Sequence, residues 1–160
     1  MALTRVQPLS LEDVGRLIDA TATVVDAALA VARERTDGGQ GIDREQAHCE
    51  RLAYAATEVR AARDFLAYVR EAQAAGQDVE QLANMVAVFA GEVAHKIAAQ
   101  VDAHWQDFAV GADLLRNTLE AAETKALIRA ALDDARVCAI GRHVIAARGA
   151  NHCWLDNELA

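Results

Sequence analysis

Two Glu-x-x-His units are the residues of this chain whose types and spacing most directly suggest chemistry. They are Glu45 with His48 and Glu92 with His95. The i, i+3 spacing places both side chains of a unit on one helix face, and some helical bundles hold two metal ions with paired units of this kind. The first unit is in phase with the apolar stripe of its helix, but the second is not, and the other helices offer no inward carboxylate. We therefore predict no metal site, with a di-metal bundle built on these four residues as an alternative.

The sequence supports nucleophilic catalysis and phosphate binding less than it supports a metal site. Cys49 follows His48 directly, and adjacent helical residues point in different directions, which argues against a thiolate–imidazole pair. Cys138 lies in an apolar run and is predicted to be buried and inert. His104 is predicted to be a hydrogen-bonded core or interface residue on the stripe of the third helix. The glycine-rich segment 38–41 follows no strand, so it is predicted to be a helix connection.

Composition favours one soluble all-helical domain. Of 160 residues, 53% are hydrophobic but only 4% are aromatic, and the single proline is at position 8. The net charge of -8 disfavours a nucleic-acid partner. Three widely spaced cysteines are typical of reduced thiols in the cytoplasm, and the absence of a long apolar run disfavours secretion and membrane insertion.

Capping residues and glycines predict where the helices begin and end. Ser10 with Asp13 should cap the first helix, and Asp43 and Asp78, each with a Gln three residues later, should cap the second and third. The predicted helices are Leu11–Arg35, residues 43–75, Val79–Phe108 and Ala112–Arg148, the last of them bent or split near Thr124 or Gly141.

These segments predict an up-down-up-down bundle of four long helices in a single domain, 1–160. Its core should cover about 10–148, with a lead-in at 1–9 and a tail at 149–160 in which Trp154 either docks on a neighbour or stays loose. The second helix, with its alanine-rich stripe, is predicted to lie at the centre. Alanines off that stripe predict a second smooth face and hence a homodimer or homotetramer. These alanines are Ala47, Ala53, Ala56, Ala61, Ala67 and Ala72.

Several segments, taken together, carry a family resemblance. In Ala32–Arg63, an arginine at a helix end, a Gln at the next helix start and the run Ala56-Thr57-Glu58-Val59 with Ala61-Ala62-Arg63 match a family pattern without a gap. Phe89–Ala94 and the segment Asp134–Val137 with Ile140 add further matches. Over roughly 11–148 the chain resembles the C-terminal helical domain of the acyl-CoA dehydrogenase family. The related flavin monooxygenases share this bundle and remain an alternative.

The resemblance implies FAD and the desaturation of an acyl thioester, with Arg35 and Gln46 as cofactor-binding residues. In that family the flavin lies between a β-domain, which this chain lacks, and the helical bundles of two subunits, so FAD is expected only with a partner chain. The chain also departs from the family. Residues 103–107 replace a Gln-x-x-Gly-Gly motif, Gly38 replaces a Phe, and Arg142 replaces the catalytic carboxylate, so we predict no catalytic residue here.

Three functional hypotheses follow. The first is a helical subunit of an acyl-CoA dehydrogenase-like oxidoreductase, degenerate at its base and flavin motifs and pairing with itself or with a flavoprotein subunit. Whether it is part of an enzyme stays open, and the isolated chain should be inactive. The second is a non-catalytic oligomeric scaffold, and the third is the di-metal bundle.

Overall fold

The computed structural model describes residues 9–148 and is all-α over that range, which confirms the predicted fold class. The sequence-based assignments for the lead-in, the tail, Trp154 and Cys153 fall on 1–8 and 149–160, outside the described residues. A short 3₁₀ turn at Ile42–Arg44 precedes the second helix. The helices are α1 Leu11–Arg35, α2 Gln46–Ala74, α3 Glu80–Ala103, α4 Trp105–Phe108, α5 Ala112–Asn117, α6 Ala122–Ala131 and α7 Asp134–Ala147.

Helices α1, α2 and α3 form an up-down-up core. The Nη2 of Arg70 donates to the Leu11 carbonyl at 3.2 Å, so the end of α2 lies beside the start of α1. The rings of Phe65 and Phe89 lie 6.5 Å apart, between α2 and α3. Helix α6 packs on α1 and α3, and α7 packs on α3. These two helices complete the bundle beside the three long ones.

The fourth predicted segment is split, as the sequence indicated, but into three helices, α5, α6 and α7. The first break follows Thr118, whose backbone leaves the helical region at φ -125° and ψ -102° and whose hydroxyl donates to the Leu114 carbonyl. The second lies at 132–133, where the Asp133 side chain accepts from the Ala135 amide at 2.7 Å and starts α7. The first break is close to the predicted Thr124, whereas Gly141 lies inside α7.

The capping box predicted for α1 is confirmed. The Asp13 amide donates to Ser10 Oγ, and the Ser10 amide donates to Asp13 Oδ2, both at 3.0 Å. The Ser10 hydroxyl, and secondarily Arg16, lowers the pKa of Asp13. The reciprocal boxes predicted for α2 and α3 are wrong. Asp43 lies in the 3₁₀ turn, and α2 starts without a side-chain cap, while Asp78 accepts only from the Glu80 amide.

The start of α2 lies later than predicted because the connection from α1 is a series of tight turns. Gly38 and Gly39 have φ values of 67° and 104°, which favour glycine. The Thr36 carbonyl accepts from the amides of Gly39 and Gly41. These turns give the backbone amides hydrogen-bond partners although the segment is not helical, and they bring the start of α2 beside the end of α1.

The buried stripe of α2 matches the predicted one and adds His48 at its beginning. From His48 to Val69 its members follow alternating four- and three-residue steps, the period of coiled coils, and Ala72, which was predicted to lie off the stripe, extends it by a further step of three. The buried residues are His48, Leu52, Ala55, Val59, Ala62, Leu66, Val69 and Ala72.

The central helix is α3, not α2 as predicted. It packs against α1, α2, α4, α6 and α7, whereas α2 packs against α1, α3 and the 3₁₀ turn and keeps an outer face. Helix α3 is long and apolar enough to cross a membrane by length and composition alone. Part of its apolar surface is buried against the other helices, including Val86, Val93 and Ile97.

Two contacts fix α6 and α7 on α3. Gly91 of α3 lies against Ala131 and Leu132, and a Cβ built on Gly91 would be 2.7 Å from the Ala131 Cβ. Arg136 of α7 is buried and donates to Asn84 Oδ1 at 2.6 Å and to the Ala130 carbonyl at 3.3 Å. Burial lowers the pKa of Arg136. Arg136 belongs to the segment Asp134–Val137 that contributed to the family resemblance, and here it holds α7 on the bundle.

Candidate functional site

The candidate site is the end of the bundle where α1, the start of α2 and α4 meet. Arg35, the last residue of α1, has an Nη2 that lies 3.0 Å from Glu45 Oε2, just before α2. Its Nη1 donates to the Gln106 carbonyl of α4 at 3.5 Å. One guanidinium therefore links three elements. Gln46, the other predicted cofactor-binding residue, is exposed at the first position of α2.

A second cluster at this end was missed by sequence reasoning. Arg51 of α2 donates to Asp107 Oδ2 of α4, and the Nδ1 of His48 lies 3.8 Å from Asp107 Oδ1. The side chain of His48 is 3% exposed, and neither ring nitrogen has a hydrogen-bond partner. The phase of His48 on α2 could have signalled its burial, whereas no local signal identifies Asp107 as its neighbour.

The four residues of the di-metal alternative do not come together. Glu45 and His48 lie at this end, but Glu92 and His95 are exposed on α3. Lys96, next to His95, pairs with Glu58, which is ten residues along α2 from His48, or about 15 Å at the helical rise. Within residues 9–148, no group of three or more His, Cys, Asp or Glu side chains could hold a metal ion.

Two further assignments are wrong. His104 is exposed in this chain and not in the core, because α3 ends at Ala103 and the His104 backbone, at φ -133° and ψ 40°, is no longer helical; a place at an interface between chains stays a prediction. Cys138 is exposed on α7 rather than buried, and Cys49 is half-buried. Arg142, at the position predicted for the family base, is also exposed on α7.

The outer surface of α2 carries an apolar stripe. Ala47, Tyr54, Ala61 and Tyr68 are seven residues apart and exposed, so they lie above one another on the helix. The predicted second face is thus partly present, although Ala72 is buried in the core and Ala56 is half-buried.

Beside this stripe, an open apolar groove of about 380 Å³ lies between α2, α3 and α7. Glu92 is its one charged lining residue. The groove is lined by Phe65, Met85, Val88, Phe89, Glu92 and Ile140.

The residues at the charged end do not fit the nucleotide part of FAD, the cofactor that the resemblance implies. Its pyrophosphate would need free cationic donors, but Arg35 and Arg51 each contact a carboxylate of this chain. The adjoining hollow of about 450 Å³ is lined by Ala30, Arg33, Glu34, Asp37 and Gly38, in which carboxylates outnumber the single guanidinium. Asp107 also occupies a position at which the resemblance implies glycine.

Comparison with known families gives a match over most of the long helices. The family model described as acyl-CoA dehydrogenase, C-terminal domain matches residues 14–105, which span α1, α2, α3 and the first residue of α4. Searches of curated proteins and of solved structures gave no significant match. The matched range is more than half of the chain and includes both clusters' residues on α1 and α2.

Proposed function

Because the chain belongs to the acyl-CoA dehydrogenase C-terminal domain family, we propose that it is a helical subunit that supplies packing surface rather than catalytic groups. It pairs with itself and serves an oxidoreductase whose flavin and base lie on a flavoprotein partner. FAD is the cofactor of the full enzymes of this family. The net charge of -8 supports a cytoplasmic protein that binds neither nucleic acid nor membrane.

The observation that carries this proposal is the stripe Ala47, Tyr54, Ala61 and Tyr68 on the outer face of α2. Its seven-residue spacing matches a second helix of the same kind; its two alanines leave room for that helix, and its two tyrosines are of a type that is enriched at interfaces. We commit to a second copy of this chain as its occupant. At about 25 cal/mol per Å², burial of an interface of standard size, roughly 1,600 Å², is strongly favourable before the costs of association are subtracted.

Light scattering at micromolar concentration tests this pairing. We expect a mass of twice or four times 17.2 kDa. Ala61→Glu should shift the protein toward a monomer, because a buried unpaired carboxylate opposes association. Ala67→Glu is the matched control. The sequence placed Ala67 on the same second face, but it is an exposed residue directly before Tyr68 and so lies about 100° around α2 from the stripe; this variant should keep the native mass. A monomeric wild type, or equal masses for the two variants, would contradict the proposal.

The isolated chain should not dehydrogenate acyl-CoA. Proton abstraction requires a base of suitable pKa within hydrogen-bond reach, and a guanidinium such as Arg142 stays protonated. The measurement is the reduction of an artificial electron acceptor by the pure chain with acyl-CoAs of several lengths, beside a complete dehydrogenase as positive control. Turnover by the pure chain would refute the assignment of the chemistry to a partner.

A non-catalytic scaffold is a second proposal, favoured by the ion pairs that occupy the charged end of the bundle. The absorbance of the complex purified from its native source distinguishes the two. Flavin bands in a complex with a second chain support the subunit, whereas a colourless homo-oligomer supports the scaffold.

A further inference from the structure

We infer that the charged end of the bundle is a self-neutralising clasp, formed by Arg35, Glu45, Arg51 and Asp107 with His48. It ties α4 to α1 and α2 and leaves neither guanidinium available to a phosphate-bearing ligand. The clasp is a property of this chain alone, and it holds whether or not the chain serves an oxidoreductase.

The first half of the clasp is Arg35. Its side chain is 38% exposed, and that of Glu45 is 33% exposed, so water screens their 3.0 Å contact only in part. The same guanidinium donates to the Gln106 carbonyl, so the end of α1 is fixed to α4 as well as to the start of α2. A ligand that bound this guanidinium would replace its contacts with Glu45 and with the Gln106 carbonyl.

The second half is the carboxylate of Asp107. Its two oxygens face different groups of α2, because Oδ2 accepts from Arg51 and Oδ1 lies 3.8 Å from the Nδ1 of His48. Arg51 and Asp107 are each about a quarter exposed, which leaves their attraction stronger than that of a surface pair. A small rotation of the imidazole would give its buried Nδ1 a hydrogen bond to this carboxylate.

The charges of the clasp balance. Two guanidiniums meet two carboxylates, and the other charged groups on the adjoining hollow are Arg33, Glu34 and Asp37. A pyrophosphate approaching this end must displace Glu45 or Asp107 from a guanidinium and meet further carboxylates. Intramolecular neutralisation therefore excludes the anion that the same two arginines would otherwise bind.

The test removes the negative charges that neutralise Arg35 and Arg51. In calorimetric titration of the full chain with inorganic pyrophosphate, Glu45→Gln with Asp107→Asn should bind at least about tenfold more tightly than the wild type, because both guanidiniums lose their carboxylate. The matched control, Asp64→Asn with Asp113→Asn, removes two charges from exposed pairs elsewhere and should bind no better than the wild type. Equal affinity of wild type and double variant, or an equal gain in the control, would overturn the clasp.

Hydrogen exchange tests the structural half independently. Asp107→Asn should speed the exchange of the amides of residues 105–109 by about tenfold or more, since the hydrogen bond from Arg51 that holds α4 loses its negative acceptor. The exchange of α2 amides near Val59 should stay unchanged. If the double variant does not fold, Glu45→Gln alone, which alters the more exposed pair, should give an intermediate gain in pyrophosphate affinity. Unchanged exchange in α4 would refute its attachment by Asp107.

Discussion

Replacing Phe108 with alanine should lower the free energy of unfolding by about 3–5 kcal/mol, the usual loss for a large aromatic residue in a core. Phe108 is 0% exposed and is the largest of the fully buried side chains. It ends the four-residue helix α4, which packs on α1 and α3. Such a short helix has little stability of its own, so the buried ring holds it in place.

Trp105 offers the matched control, because it is another aromatic residue of the same short helix but is 66% exposed. Trp105→Ala should change the free energy of unfolding by no more than about 0.5 kcal/mol, as is usual for surface positions. Urea denaturation followed by circular dichroism measures both variants. A loss of similar size in the two, or a loss below that of the control for Phe108→Ala, would contradict this account of α4.

The long helices could be predicted because their signals are local. The bounds of α1 follow from the Ser10–Asp13 box and from the glycines after Arg35, and the buried stripe of α2 follows from its period. The breaks at Thr118 and at residues 132–133 depend on how the segment folds back on α3. Neither a proline nor a glycine marks them, so the sequence predicted a bend or split near Thr124 or Gly141 rather than at these two positions.

Predicting the site failed for a different reason. The burial of His48 was readable from its phase on α2, but Arg51 and Asp107 are 56 residues apart and meet only because α2 and α3 are antiparallel. The assignment of Phe108 to one long third helix also concealed the turn at His104 that brings Asp107 toward α2. Long-range pairs of this kind leave no spacing signal in a single sequence.

The largest effect expected within the helical packing is at Gly91. Gly91→Ala should lower the free energy of unfolding by about 1–3 kcal/mol, the usual cost of overpacking. The new Cβ would lie 2.7 Å from the Ala131 Cβ and 3.2 Å from atoms of the Leu132 side chain. Alanine favours a helix over glycine by up to about 1 kcal/mol, so a net loss means that the steric contact outweighs helix propensity.

The substitution Gly141→Ala separates the cost of steric contact from the gain in helix propensity. Gly141 lies inside α7 with open space around its Cβ position, so Gly141→Ala should gain up to about 1 kcal/mol from propensity alone. Gly15→Ala is the intermediate case, because the closest atom to its new Cβ, at 2.9 Å, would be the movable end of the Arg70 side chain, while Leu66 Cδ2 at 3.6 Å is an ordinary contact. Urea denaturation should therefore rank the three variants with Gly141→Ala the most stable and Gly91→Ala the least. A Gly91→Ala protein as stable as Gly141→Ala would mean that α6 can withdraw from α3 at no cost, and the close approach at Ala131 would then not define the position of α6.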